Sequence, residues 1–526
     1  MTSTPSSPTA TPRYAPLDPG SDPAAKREEP MLLLDRVLPD RLLSGTVLLG
    51  LAGSVLLAAA AVGAGGILVT DPLITGGPLS WIRYGHGRDL ATVALYLGVG
   101  MIVWAWVRLG RDVLASAATV QHVQVAGAVW IAPMLLSPPL FTRDVYSYLA
   151  QGALALRGLD PYQVGPSELP PGPIADNVHY AWQTTPAPYG PLFILIAKTM
   201  NWLTDEDTIA GVIGMRLVLV AGVGLLVFAL PRLADQLGGN RTITLWLVVA
   251  NPMTVVHLVG GPHNDLLMIG LLAVGTLLVL QRRHVAGIAV VTVAMAVKAS
   301  AGIALPFLVW IWVARLPGSR GAALLRAGAG SLAVFATVFT GVTMLSGVGL
   351  GWIPALNAPS LIVNWMSLPT GAGQLAHAVT SPFHDVSSGS FILVFRILGS
   401  GVFLAIFARQ WWLARDGGPD AVRRAAIALL WSALLAPATL PWYLTWALVL
   451  AAALSWRRNS LALVVAGSTW LVLATYPTGE SAFNSWPYQI GMMAVSLIAA
   501  TALLRRDPLH LNSRTQRTDP APAETV

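Results

Sequence analysis

The chain has no cysteine, few charged residues and almost no lysine, and each shortage excludes something. Without a thiol there is no disulfide framework, thiolate metal site, thioester intermediate or redox relay. Chemistry must come from carboxylates, histidines and hydroxyls. Charged residues make up 11% of the sequence, against roughly 25% in an ordinary soluble domain, so a soluble globular protein is excluded. Only Lys26, Lys198 and Lys298 are lysines among the 32 basic residues. A Walker A loop, a dinucleotide fingerprint after a strand, a His-Glu-x-x-His pair and an EF-hand ladder are also absent from the sequence.

What remains is apolar. Fifty-five per cent of 526 residues, at about 20 residues per crossing, allows at most about fourteen helical spans, and about fourteen apolar runs lie between residues 43 and 504. The expected fold is all-α: a polytopic integral membrane protein. Residues 1–40 read as a disordered cytoplasmic tail, rich in Ser, Thr and Pro over 1–30 and without the apolar core and cleavage site of a signal peptide. Residues 507–526 read as a second cytoplasmic tail, leaving 41–506 as the membrane domain.

The arginine clusters orient it. With fourteen spans, Arg36/Arg41, Arg108/Arg111, Arg232/Arg241, Arg282/Arg283, Arg315/Arg320, Arg409 to Arg424, Arg457/Arg458 and Arg505/Arg506 all fall on one side, which the positive-inside rule assigns to the cytoplasm. Arg83, Arg88, Arg143 and Arg157 are the expected exceptions. The agreement requires that the apolar segment 191–203 not cross fully. Large outer loops then run over about 138–208 and 348–388, and the expected setting is the plasma membrane with the site on its outer face. The net charge of +7 is a topology signal and does not indicate nucleic-acid binding.

Among the few outer-face acids Asp144 is the best placed, in Phe141-Thr-Arg-Asp-Val-Tyr-Ser-Tyr148 just after the third apolar run. A carboxylate there meets a membrane-borne substrate while reaching water, and can act as a general base. The alternatives are a helix cap or an ion pair with Arg143. Val145 to Arg157 reads as a short amphipathic helix on the membrane surface. His263, Asn264 and Asp265 follow Gly260-Gly-Pro262, where the glycines would let a ligand approach; the alternative is a simple helix start at Asn264 or Asp265. Tyr148, Tyr189, Trp442 and Tyr443 lie in or beside the outer loops, as sugar or acceptor contacts or as an interfacial aromatic belt. Lys298, Arg216 and Arg396 sit inside apolar runs, each in the outer half of the membrane. An intramembrane cation is a functional hypothesis by default, and three at this depth suit a lipid-linked phosphate. Pairing with buried acids or backbone carbonyls is the alternative.

Thr142-Arg-Asp-Val-Tyr-Ser-Tyr148 with Gln151-Gly152, Gly158-Leu-Asp-Pro-Tyr162, Pro188-Tyr-Gly-Pro191, Pro262-His-Asn-Asp265 and Pro441-Trp-Tyr443 resembles the actinobacterial polyprenol-phosphomannose-dependent α-1,6-mannosyltransferases of the MptA/MptB type, members of the GT-C superfamily. The resemblance covers about residues 40–505. It implies the GT-C fold, a mannosyl phosphoryl polyprenol donor and a phosphatidylinositol mannoside or lipomannan acceptor. It also implies a catalytic acid in the first large outer loop, often within an acidic pair. Here Arg143 reduces the pair to Asp144, so no metal site is carried over and no cofactor is assigned. The competing readings are an arabinofuranosyl or protein O-mannosyl transferase of the same superfamily, and a transporter of lipid-linked sugars. Paired halves with broken helices at matching positions, frequent in transporters, are not visible in the sequence.

Overall fold

The computed structural model describes residues 44–72 and 76–505; the tails expected at 1–40 and 507–526 lie outside the described residues. Among those described, the elements are helices, and a single antiparallel bridge between Thr475 and Ser481 stands alone. Six helices are long and apolar enough to cross a membrane: Gly45–Ala64, Gly85–Leu114, Thr208–Leu237, Arg320–Ser346, Ser388–Asp416 and Trp486–Leu504. A seventh candidate is Arg241–Val248 joined to Met253–Gly260 across a 47° bend. Pro252, at that break, has no N–H to continue the ladder.

Other apolar runs form shorter helices, among them Val120–Leu136, Asp265–Leu280 and His284–Val297. Hydropathy reports that a segment is removed from water, whereas the count of full crossings depends on where the backbone breaks. The lipid-facing surface is plain on Ser388–Asp416, where only 11% of the apolar window is buried. Leu393, Ile397 and Leu404 are each at least 60% exposed there. A row of such side chains is tolerated in lipid and not in water. The chain is a multi-pass membrane protein.

Trp106 and Trp246 show how the bundle is tied together. Each indole N–H donates to the other residue's carbonyl at 2.9 Å, and the rings stack at 5.3 Å. Two polar atoms are thereby satisfied where no water can reach them, and helix Gly85–Leu114 is locked to Arg241–Val248.

Two short helices depart from or refine the expectations. Asp144–Leu156 is a helix, but Val145 to Ala155 are all buried, so it lies inside the protein instead of floating on the membrane surface. Its neighbour Pro191–Leu203 has 13 residues and is therefore about 20 Å long, short of the roughly 30 Å hydrocarbon layer. Asn201 on that helix donates to Leu149 O at 2.8 Å and to its own Ala197 O at 2.9 Å. The two helices are thus pinned side by side.

Candidate active site

Asp144 is aimed by a backbone that has few freedoms. Phe141, three residues earlier, has φ of +59°, a left-handed conformation that costs a non-glycine residue about 1–3 kcal/mol. It is held by an N–H bond to Pro477 O at 2.9 Å and by the Thr475 hydroxyl on its own carbonyl at 3.4 Å. Gly479 has φ of +95°, and a Cβ there would lie 3.0 Å from the Thr142 backbone, so only glycine lets the 475–481 turn close on this segment. From the other side Gly261 makes room: a Cβ would sit 2.7 Å from Leu140 O. The glycine pair expected to admit a ligand therefore admits the chain that carries Asp144.

Arg143 does not pair with Asp144. Its guanidinium donates to Ile67 O and to Asn177 O, each at 3.0 Å, and lies 5.2 Å from the centre of the Tyr146 ring. It clamps the 66–69 and 173–177 loops to the foot of the helix and leaves Asp144 to the cavity. The Asp144 N–H donates to Thr142 Oγ1 at 3.1 Å, and its side chain is 17% exposed. Burial pushes the carboxyl up to about 6; Lys298 pulls it down, Asp265 pushes it up, and hydrogen bonds with the side chains of Thr142 and Trp182 pull it down. His263 Nδ1 lies 3.6 Å from Asp144 Oδ2, beyond hydrogen-bond reach. Burial holds the His263 pKa well below its usual value, so the imidazole is neutral, and its ring stacks on Trp442 with centroids 3.7 Å apart.

Beside this lies a second cluster. Lys298 Nζ donates to both Asp265 oxygens at 2.8 Å and reaches Asn264 Oδ1 at 3.4 Å. It also faces the rings of Tyr443 at 4.9 Å and Trp446 at 5.4 Å, a cation–π box. Trp446 Nε1 donates to Asp265 Oδ1 at 2.5 Å. The folding logic is local: Asp265 opens helix Asp265–Leu280 and Lys298 follows the end of His284–Val297, antiparallel neighbours, so the start of one meets the end of the other.

The other two intramembrane cations go elsewhere. Arg216 is 1% exposed and donates to Leu135 O, Val259 O and Gly260 O, all at 3.0 Å. It satisfies carbonyls left over at two helix ends. Arg396 donates to Ser360 O at 2.7 Å, Ile362 O at 2.8 Å and Thr370 Oγ1 at 2.9 Å, which ties the 358–362 turn to helix Ser388–Leu413. Tyr148 packs edge-on to Tyr189 at 5.1 Å and to Phe193 at 4.8 Å, within the protein.

Of the residues expected from sequence, Asp144 and Trp442 line one cavity of about 370 Å³ together with His179, Tyr180, Trp182, Asn364 and Glu480. Glu480 is one of the outer-face acids offered by the sequence; the other four were missed. His179 Nε2 lies 3.7 Å from Glu480, and the His179 and Tyr180 rings lie 4.3 Å apart. Arg143, His179, Tyr180 and Glu480 also line a second hollow of about 400 Å³ that reaches Arg88 and Asp176. The two hollows share these four side chains, so a groove of mixed polar and apolar lining runs from Asp144 past His179 and Tyr180. Among the described residues no group of three or more His, Asp or Glu side chains could hold a metal ion.

A family model described as alpha-(1->6)-mannopyranosyltransferase, N-terminal domain, matches residues 47–314, and one described as MptB C-terminal domain matches residues 369–505. The chain belongs to the alpha-(1->6)-mannopyranosyltransferase family. It is 42% identical over 465 residues to alpha-(1->6)-mannopyranosyltransferase A of Mycobacterium tuberculosis, covering 88% of this chain and 90% of that one. A probable alpha-(1->6)-mannopyranosyltransferase of Mycolicibacterium smegmatis is 33% identical, with 87% of each chain covered. Alpha-(1->6)-mannopyranosyltransferase A of Corynebacterium glutamicum is 32% identical, covering 69% of this chain and 79% of its own length. No solved structure matches the chain. Family membership makes the chain a glycosyltransferase and sets the transporter reading aside. Arg143, Asp144, His263 and Asp265 all fall within the first matched region, whereas Trp442 and Glu480 fall in the second, so the cavity is assembled from both.

Proposed function

We propose that this mannosyltransferase moves mannose from mannosyl phosphoryl polyprenol to a phosphatidylinositol mannoside or lipomannan acceptor in α-1,6 linkage, with inversion, at the outer face of the cell membrane. The observation that carries the reading is the Asp144 carboxyl, passed over by Arg143, lining a groove beside His179, Tyr180 and Glu480, and poised at about 6. A base that titrates near neutrality combines availability with proton affinity. As the acceptor's 6-hydroxyl attacks the anomeric carbon, its proton passes to an Asp144 oxygen, and the bond to the phosphate oxygen breaks with its electron pair leaving on polyprenyl phosphate. Such a leaving group needs charge neutralisation more than a proton. Lys298 is the candidate: its side chain is only 13% exposed beside its aromatic box, and its charge already acts on the Asp144 carboxyl. Arg216 and Arg396 are left out of the donor site, because their N–H groups already hold backbone carbonyls.

The decisive assay supplies membranes containing the full chain with radiolabelled mannosyl phosphoryl polyprenol and a mannosylated phosphatidylinositol. The expected product carries new 6-linked mannose by linkage analysis; absence of transfer from this donor overturns the reading. The pH dependence follows from Asp144. The carboxylate is the working form, so kcat/KM rises with pH through an acid limb near 6 and levels off above about 7, losing about tenfold per unit below the limb. A limb at the ordinary carboxylate value of about 4 would place the titrating group elsewhere.

The groove beyond His179 and Tyr180 suits the preceding sugars of the acceptor, since Tyr180 is 75% exposed and an aromatic face accepts the apolar side of a sugar. Tyr180→Ala is expected to raise the acceptor KM about tenfold, a loss of about 1.4 kcal/mol, with the donor KM unchanged. Orientation is supported by helix Gly85–Leu114. Arg88 reaches the groove, and Arg108, twenty residues later, lies about 30 Å further along the helix, one hydrocarbon thickness away. The lack of native cysteine makes the test clean. In intact cells an impermeant maleimide should label Tyr180→Cys and spare Ser455→Cys; the reverse pattern would invert the assignment.

A further inference from the structure

The far end of helix Gly85–Leu114 carries a larger cavity than the one at Asp144, about 740 Å³. Four arginines line it: Arg108 and Arg111 near the end of that helix, Arg458 at the start of Arg458–Val472, and Arg505 just after Trp486–Leu504. One carboxylate, Asp112, joins them, so the described lining residues carry a formal charge of +3. The positive-inside bias explains why these arginines share one end of the bundle. It does not explain why four from three helices line one concavity.

Apart from Thr46, the rest of the described lining is apolar. Ile243, Trp456, Leu461 and Leu503 form one wall, and Trp456 is fixed by its N–H bond to Ala451 O at 2.9 Å. An indole at a helix end, beside arginines, matches the headgroup level of a bilayer. Arg458 bonds Leu504 O at 3.1 Å, which holds two of the helix ends together. We infer that this cavity binds the phosphate headgroup of an anionic membrane lipid, at the end of the bundle remote from Asp144. Guanidinium forks take the phosphate oxygens in bidentate fashion, while the apolar wall meets the first carbons of the chains. A soluble phosphate would use the same forks but leave the wall without a partner.

Purified full-length protein, reconstituted in phosphatidylcholine vesicles with 20 mol% phosphatidylglycerol taken as the probe at about the level that gives a cytoplasmic leaflet its negative potential, is extracted and read by native mass spectrometry. The wild type and Asp144→Asn should both retain phosphatidylglycerol. Arg108→Gln/Arg505→Gln should retain at least tenfold less, with unaltered thermal unfolding in phosphatidylcholine alone because both side chains are exposed. Arg108→Lys/Arg505→Lys keeps the charge without the fork and should fall between. Equal retention by wild type and the Gln pair overturns the site. Displacement of the lipid by inorganic phosphate or pyrophosphate at equal concentration overturns the lipid as its occupant.

Discussion

Asp144→Asn is expected to lower mannosyl transfer by about 10²–10⁴-fold, the usual contribution of a positioned general base, while leaving donor binding nearly intact. Asparagine has the same shape and still accepts a hydrogen bond, but it cannot take a proton at neutral pH. The variant should also be more stable than the wild type. The native carboxyl is raised from 3.8 to about 6, and at about 1.4 kcal/mol per unit that is a penalty on the charged form of about 3 kcal/mol. The sign follows from linkage: with the folded pKa above the unfolded value, the favourable contribution is complete at acid pH and lost as pH rises through 6. At pH 7 Asp144 therefore strains the fold, and Asn removes the strain. A thermal unfolding curve at pH 7 that moves up, together with lost turnover, identifies a site held ionised for function. Lost turnover with lowered stability would indicate a structural acid, and full activity would remove Asp144 from the chemistry.

Lys298 needs two variants, because its single removal confounds two effects. Lys298→Ala leaves Asp265 buried with no counter-charge, and breaking a buried pair by deleting one partner costs about 3–5 kcal/mol. Low expression and lost activity are expected together. Lys298→Met/Asp265→Leu replaces both charges with apolar groups, a change that is often neutral or stabilising. The pair variant should fold and be recovered in membranes at wild-type level, yet fail to use the lipid-phosphate donor. If it transfers mannose normally, Lys298 is a structural half of an ion pair and the leaving phosphate is neutralised by another group.

Part of this site was legible in the sequence. Asp144 stood out because acids are so few, and Trp442 because its Pro-Trp-Tyr run sits beside an outer loop. The glycines at 260 and 261 were noticed for the right property and the wrong partner: close approach was needed, but by the backbone at Leu140. His179, Tyr180, Trp182 and Glu480 were not singled out. They come from stretches 290 or more residues apart in part, and polar and aromatic residues in turn-rich loops carry no periodicity to mark which of them meet.

Composition alone determined that the chain lives in a membrane, that thiol chemistry is absent and that chemistry can draw only on carboxylates, histidines and hydroxyls. Those conclusions depend on counts and on the cost of moving charge out of water, which are the same in any fold. The tertiary structure decided the roles of the charged residues that remain. Arg143, Arg216 and Arg396 hold carbonyls that become available only where helices end or loops cross, and Lys298 holds the one buried acid that the helix pairing brings to it. A carbonyl freed by a chain break has no signature in the sequence, because every residue has one. That is why the sequence could place Lys298, Arg216 and Arg396 inside apolar runs and only the fold could say what each of them holds.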